Sequence, residues 1–394
     1  MDETKNIYGQ GVGTSLAMVF SVAAGLAVGN LYWAQPLLAA IAADFDVPAS
    51  QGSFLITATQ IGYASGILLL VPLGDIVERK RLLTAVMGLT VLALFLSALA
   101  PSFAVLSFAL YCVGAFTVSG QVILPLVGDL TKVEDMGRIV GIVTSGITAG
   151  ILFSRFLSGL VADIWSWRSI YFLAAALNLA TVFLIRQYVP QVPGRSKISY
   201  GQALRGVFSC LGRYPGLWRI LIKPGMVFGI TFNLFWTALT FLLSAEPFGY
   251  STFQIGLVSM AGLTGAIAGM MLGKLQDRGL GRAGLCAFTF LSMACMLIAL
   301  PANESIAIVV IVAAVFSLAS QGVGILSQSQ LFSLSDTERS RLNTVFVVNN
   351  FLFCAIGSTL AGFLWNAGGW DFVAVGGTIA SGIAFVVCVL EYKL

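Results

Sequence analysis

Histidine is missing from all 394 residues, and charged residues make up only 10% of them. The first absence removes the commonest metal ligand and the usual acid–base group at neutral pH. The second separates the chain from ordinary soluble domains, in which about a quarter of the residues are charged. The six cysteines (Cys112, Cys210, Cys286, Cys295, Cys354 and Cys388) include no CxxC pair, and most fall in apolar runs. A thiol there acts as a small apolar filler, so neither a metal site nor a disulfide framework is expected, and no cofactor. No small-residue cleavage site follows the first apolar run, which therefore reads as a retained span rather than a removable signal. A Walker loop is lacking, which argues against an ATP-driven pump within this chain. No nucleophile, base and metal converge in the apolar runs, so a membrane-embedded enzyme is not expected either. The net charge of +4 is scattered through short loops, and nothing in it points to nucleic acid.

What the chain does have is apolar sequence: 58% of it is hydrophobic, with a mean hydropathy of +0.94. No soluble core absorbs that much, so the expected class is an all-α polytopic membrane protein. A spanning helix needs roughly 20 mostly apolar residues. That criterion gives twelve candidates, at about 14–38, 53–73, 82–100, 103–127, 139–161, 169–187, 219–243, 254–273, 283–300, 305–327, 343–364 and 371–390. The long connection, residues 188–218, holds Pro190, Pro193, Pro215 and clustered basic residues, with a surface helix expected around Tyr200 to Leu211. The expected organisation is thus a first six-helix bundle over 1–187, a linker over 188–218 and a second bundle over 219–394.

Threading the spans puts all but two of the 21 basic residues on one side of the membrane. Arg168 alone falls in an opposite-side loop, and Arg155 alone lies well inside a span. By the positive-inside rule both termini and the linker are then cytoplasmic. Dropping any one span would scatter the asymmetry. The halves also echo each other. Asn30-Leu31-Tyr32-Trp33 returns as Asn233-Leu234-Phe235-Trp236, 203 positions later. Pro101 and Pro301, Asp75 and Asp277, Arg138 and Arg341, and Trp167 and Trp370 recur at offsets of 200 to 203. Two six-helix bundles in parallel repeat are the pattern of transporters that work at the repeat interface.

The loop Leu73-Gly74-Asp75-Ile76-Val77-Glu78-Arg79-Lys80-Arg81 resembles the signature between the second and third helices of the major facilitator superfamily. Val71, Ile76 and Glu78 depart from it. The copy from Gly273 through Asp277 and Arg278 to Arg282 is a closer match with one extra residue. The resemblance covers essentially the whole chain and implies the major facilitator fold. It also implies a latch, in which Asp75 caps the eleventh helix near Asn343 and Arg79 pairs with Asp129, with Asp277 and Arg278 as the second-half counterparts. The alternative is a solvated turn that only sets topology. The stretch from Gly146 to Gly159 resembles the Gly-rich fifth helix of the drug:proton antiporter and sugar-efflux-like branch, with Ser154-Arg155 where a Gly-Pro pair is usual. Gly146, Gly150 and Ser154, spaced by four, would let another helix approach closely. Leu110 stands where the branch has a basic residue on its fourth helix.

In the resembled fold, helices 1, 4, 7 and 10 line a central cavity. The polar and aromatic residues placed there are Asn30, Tyr32, Trp33 and Gln35, then Tyr111, Ser119 and Gln121, then Asn233, Trp236, Thr237 and Thr240, then Ser317, Ser320 and Gln321. For Tyr32 and Trp33 an interfacial belt is the alternative. Arg155, about 25 Å along its helix from Arg138, is a functional-site candidate because an intramembrane charge is costly. It could bind an anionic or zwitterionic group, lock against Glu246 or Asp163, or snorkel to the surface. The expectation is a secondary transporter, monomeric, in a plasma membrane such as a bacterial inner membrane. It would move a small amphipathic organic solute, and the resemblance suggests proton-coupled efflux. An uncoupled facilitator, an exchanger or importer, or a non-transporting sensor are the alternatives. Protons are a possible second partner, though the candidate carboxylates (Asp129, Asp163, Glu246, Asp371) all lie near helix ends.

Overall fold

The computed structural model describes residues 12–193, 199–265, 280–301, 305–335 and 337–392. These form an all-α, multi-pass bundle. The first half holds α1, in two pieces (Thr14–Gly29 and Leu38–Asp44), α2 (Ser53–Leu70), α3 (Arg79–Ala98), α4, also in two pieces (Phe103–Phe116 and Ser119–Leu130), α5 (Met136–Ile164) and α6 (Trp167–Tyr188). A linker helix, Tyr200–Arg213, follows. The second half holds α7 (Leu217–Pro224, then the widened π turn Gly225–Thr231, then Phe232–Ser244) and α8, which starts at Thr252–Val258. Next come α9 (Gly281–Ile298), α10 (Ile306–Phe332), and α11 and α12, which share the stretch Arg339–Tyr392. That stretch is divided at Gly368 and Gly369; Gly369 has φ +63°, a conformation that favours glycine.

The helix starts have local causes. Ser199 with Gln202, and Ser251 with Gln254, form reciprocal capping boxes at the linker helix and at α8. The linker helix buries Ala203, Val207 and Cys210, one stripe at helical spacing, and leaves Phe208 and Leu211 exposed. The expected unbroken first span is interrupted instead. A helical Pro36 would clash with the carbonyl of Tyr32, and residues 30–34 form tight turns in which Leu31 and Tyr32 bond back three residues. The break in α4 at Thr117 faces it: Thr117 Oγ1 donates to Ala27 O at 2.7 Å and accepts from Asn30 Nδ2 at 3.0 Å.

Three close crossings fix the layout. Within the first half, α1 lies on α5 almost backbone to backbone. A Cβ at Gly150 would stand 2.1 Å from Gly25 O, and one at Gly146 2.5 Å from Ser21 O. Between the halves, α2 meets α11 and α5 meets α8. Thr57 Oγ1 and Thr359 Oγ1 are 3.0 Å apart, and Asp163 accepts from Ser251 Oγ at 2.8 Å and Thr252 Oγ1 at 2.7 Å. Phe54–Phe363 and Phe156–Phe253 ring pairs flank those contacts, and Thr240 Oγ1 of α7 donates to Gln35 O of α1. These contacts lie toward the end of the bundle away from Arg79 and Arg341. At the basic end the halves part around a cavity of about 470 Å³, lined by Asp75, Arg79 and Gln121 on one side and Glu338, Arg341 and Thr344 on the other.

Candidate functional site

Arg155 lies in the second half of α5, toward the end away from Arg138, and is only 2% exposed. Its guanidinium carbon sits 4.8 Å from the ring centre of Tyr32, on α1, and 4.8 Å from that of Trp236, on α7. The cation is therefore held between aromatic faces supplied by the two halves of the chain. In a dry site each such contact stabilises by about 2 kcal/mol. Its Nε and Nη2 have no hydrogen-bond partner among the described residues, and no carboxylate there pairs with it. A small cavity of about 70 Å³ opens beside it, lined by Tyr32, Phe228, Phe232, Gly262, Ser317 and Gln321 among others. Among the described residues, Ser317 Oγ, which lines that cavity, and Trp236 Nε1 are also buried without a hydrogen-bond partner. Buried polar groups are nearly always satisfied, so these atoms make the cavity the candidate site.

Two roles considered for Arg155 are corrected by this geometry. It does not lock against Asp163, whose carboxylate is taken by Ser251 and Thr252, nor is it paired with Glu246. It does not snorkel either, because its side chain is buried among rings from both halves.

The residues expected around one cavity divide. Tyr32, Arg155, Trp236 and Gln321 come together. Asn30 does not join them: it exchanges amide hydrogen bonds with Asn178 of α6 at 3.2 Å and accepts from Trp33 Nε1 at 2.8 Å. With Thr117 also bonded, its amide is used up holding α1, α4 and α6 together, and Trp33 is buried in the same core rather than lying in a membrane-surface belt. Asn233 instead faces the other half, accepting from Gln60 Nε2 of α2 at 3.3 Å and donating to Gly229 O at 3.1 Å. Gln35 and Thr240 bond to each other across the halves, on the closed side of the Arg155 cavity. Tyr111 marks the α2–α4 crossing, where a Cβ at Gly62 would be 2.1 Å from its carbonyl oxygen. Gln121 lines the cavity at the basic end and donates to Tyr63 OH at 3.3 Å; the Tyr63 ring lies 4.4 Å from that of Phe351 on α11.

At the basic end, Arg79 is buried. It pairs closely with Asp129, donates through Nε to Gly74 O at 3.1 Å and sits 3.5 Å from Asp75. Asp75 is half exposed and makes no bond to α11; Asn343 is engaged by Gln328 at 2.9 Å instead. Asp277 and Arg278 lie outside the described residues. The nearest approach to a tie across this end is the linker helix. Tyr200 OH donates to Leu69 O of α2, while Arg213 and Tyr214 hold Glu338, just before α11, at 2.5 Å and 2.9 Å. The hydrogen bond from Tyr214, reinforced by Arg213 and Arg341, holds the Glu338 carboxyl below its ordinary range.

Sequence reasoning did not pick out Gln60, Tyr63, Asn178, Phe228 or Phe232. Amides and a tyrosine inside apolar runs were a usable signal for the first three. The stacked phenylalanines, 5.5 Å apart, gave none. It also placed Lys223 among the basic residues on one side of the membrane and did not anticipate its burial. That side chain is fully buried, 2.5 Å from Glu391 and 3.2 Å from Gln330, tying α7 to α12 and α10.

A multi-pass helical bundle with its most unusual buried charge at the meeting of the two halves defines a class of solute carriers, and comparison with known proteins gives the same class. The chain belongs to the Major Facilitator Superfamily, whose family model matches residues 18–354. The uncharacterized transporter YgaY of Escherichia coli O157:H7 is 34% identical over 93% of each chain. The probable transporter SCO4007 of Streptomyces coelicolor is 29% identical over 87% of this chain and 80% of its own. Among solved structures, a POT family transporter in complex with 5-aminolevulinic acid superimposes with a TM-score of 0.79 at 13% identity, covering 99% of both chains. The protein is thus a multi-pass membrane transporter of a small-molecule solute, and not an enzyme.

Proposed function

We propose that this protein is a secondary transporter that moves a small amphipathic organic solute by alternating access, its two halves (1–187 and 219–394) rocking about Arg155. The observation that carries this reading is the buried, unpartnered guanidinium held between Tyr32 of one half and Trp236 of the other. A site whose walls belong to two bodies is remade when those bodies move, which is what alternating access requires. With the basic end cytoplasmic by the positive-inside rule, the contacts at Thr57–Thr359 and Asp163–Ser251 form the closed outer gate, and the 470 Å³ cavity is the inward opening. The inner latch is then parted at Asp75, which does not reach α11, while Arg79–Asp129 stays paired beside it. A monomer in a bacterial inner membrane suits this arrangement.

The likeness of α5 to drug:proton antiporters favours proton-coupled efflux. One observation favours a facilitator or exchanger instead: among the described residues no carboxylate lines the cavity at Arg155. Flux in proteoliposomes with and without a pH gradient separates them. Gradient-driven flux supports antiport, gradient-independent equilibration supports facilitation, and no protein-dependent flux of any solute would replace transport by a sensing role.

A further inference from the structure

The polar atoms without partners around Arg155 share one property. Arg155 Nε and Nη2 and Trp236 Nε1 are donors only, and Ser317, which lines the cavity, offers a hydroxyl that can donate. Among the described residues, the elements around the cavity bring no acceptor of opposite charge. α1 contributes Tyr32; α5 contributes Thr148, Ile151 and Leu152; α7 contributes Phe228 and Phe232; α8 contributes Gly262; α10 contributes Ser317 and Gln321. A buried positive charge ringed by donors is complementary to a group that only accepts, and an ionised carboxylate is such a group. The planar guanidinium fork suits a carboxylate, and one cation matches one negative charge, which argues against a doubly charged phosphate. The cavity of about 70 Å³ is the size of a head group, not of a whole solute. The stacked rings of Phe228 and Phe232 beside it offer an apolar wall for the remainder.

We propose that the transported solute is an organic monocarboxylate with an apolar or aromatic body, its carboxylate bound by Arg155, and that it crosses by exchange for a second such anion. This rests on the reading of the protein as a secondary transporter and deepens it. Exchange follows from the charge. With the anion bound, the occluded site is neutral. Without it, both gates must close around a lone guanidinium, and the penalty of several kcal/mol for a buried unpaired ion slows the return of the empty carrier.

Hippurate, an aromatic carboxylate, its uncharged amide and benzylamine serve as probes. Purified wild-type protein is expected to gain several degrees in Tm with hippurate alone. Arg155→Gln should lose that gain, and Arg155→Lys, which keeps the charge without the fork, should retain part of it. Equal stabilisation by the amide or the amine, persistence of the hippurate effect in Arg155→Gln, or no hippurate effect in the wild type overturns the assignment. In proteoliposomes, labelled hippurate should enter at least tenfold faster when unlabelled hippurate is inside than when the vesicles are empty, and equal rates overturn exchange. Protein-dependent flux of the amine or the amide, without flux of hippurate, overturns the substrate class while the transporter reading stands. Absence of flux for all three probes, with no shift in Tm, overturns the carboxylate assignment, and the transporter reading falls only if no solute at all is moved.

Discussion

Replacing Arg155 by methionine should make the protein more stable and inactive at once. The side chain is 2% exposed, and among the described residues it has no carboxylate partner and two of its nitrogens make no hydrogen bond. Removing it relieves a desolvation penalty of several kcal/mol for an unpaired buried ion. It also forfeits two cation–π contacts, at 4.8 Å each, worth about 2 kcal/mol apiece in a dry site. Methionine is unbranched and deformable, so it fills the space between the two rings and leaves a remaining gain of about 1–3 kcal/mol. Thermal unfolding of the purified protein, followed by tryptophan fluorescence in the absence of solute, reads that gain as a higher Tm. Flux in proteoliposomes reads the loss of function. A fall in Tm comparable to a core truncation, about 2–5 kcal/mol, would show that Arg155 is a structural element with a partner and would refute the reasoning.

Asn178→Leu leaves the Asn30 amide short of its partner and should cost about 1–3 kcal/mol of stability without changing the apparent KM for solute, measured by unfolding and flux side by side. Gly150→Ala sets a methyl 2.1 Å from Gly25 O and should destabilise by about 1–3 kcal/mol, read as a lower Tm; an unchanged Tm would mean that α1 and α5 are not in contact. Thr57→Cys with Thr359→Cys, whose native hydroxyls are 3.0 Å apart, should stop flux when joined by a short bifunctional thiol reagent, while the single variants remain active. Glu338 has a folded pKa below its ordinary 4.5, held there first by Tyr214, so its contribution is present above pH 4.5 and lost as pH falls through the depressed value. Glu338→Gln should therefore loosen the linker helix already at pH 7, seen as faster tryptic cleavage between 199 and 219 than in wild type at the same pH.

The bundle was legible because its signals are long-range averages: apolar runs of spanning length and basic residues crowded on one side. Arg155 stood out for a local reason, as the lone strong charge inside a span. Rotation about each helix was not legible. Asn30 and Asn233 match in position along the repeat, yet one turns to Asn178 in its own bundle and the other to Gln60 in the opposite half. Asn30 ends a regular helix, whereas Asn233 follows the π turn at Gly225–Thr231, which explains the difference. A π turn changes the number of residues per turn, and a single added residue swings everything after it by about 100°. A sequence offset records register, not that swing. The break at Thr117 was hidden for a similar reason, since its cause is a hydrogen bond to Ala27 from 90 residues earlier in the chain.

The measurement that bears most directly on the central claim is protein-dependent flux of a labelled carboxylate in proteoliposomes, compared between wild type and Arg155→Gln at equal reconstitution. Flux in the wild type and its loss in a variant that still inserts and unfolds cooperatively is the predicted result. Equal flux in the two would contradict the claim that solute binds at Arg155, between Tyr32 and Trp236.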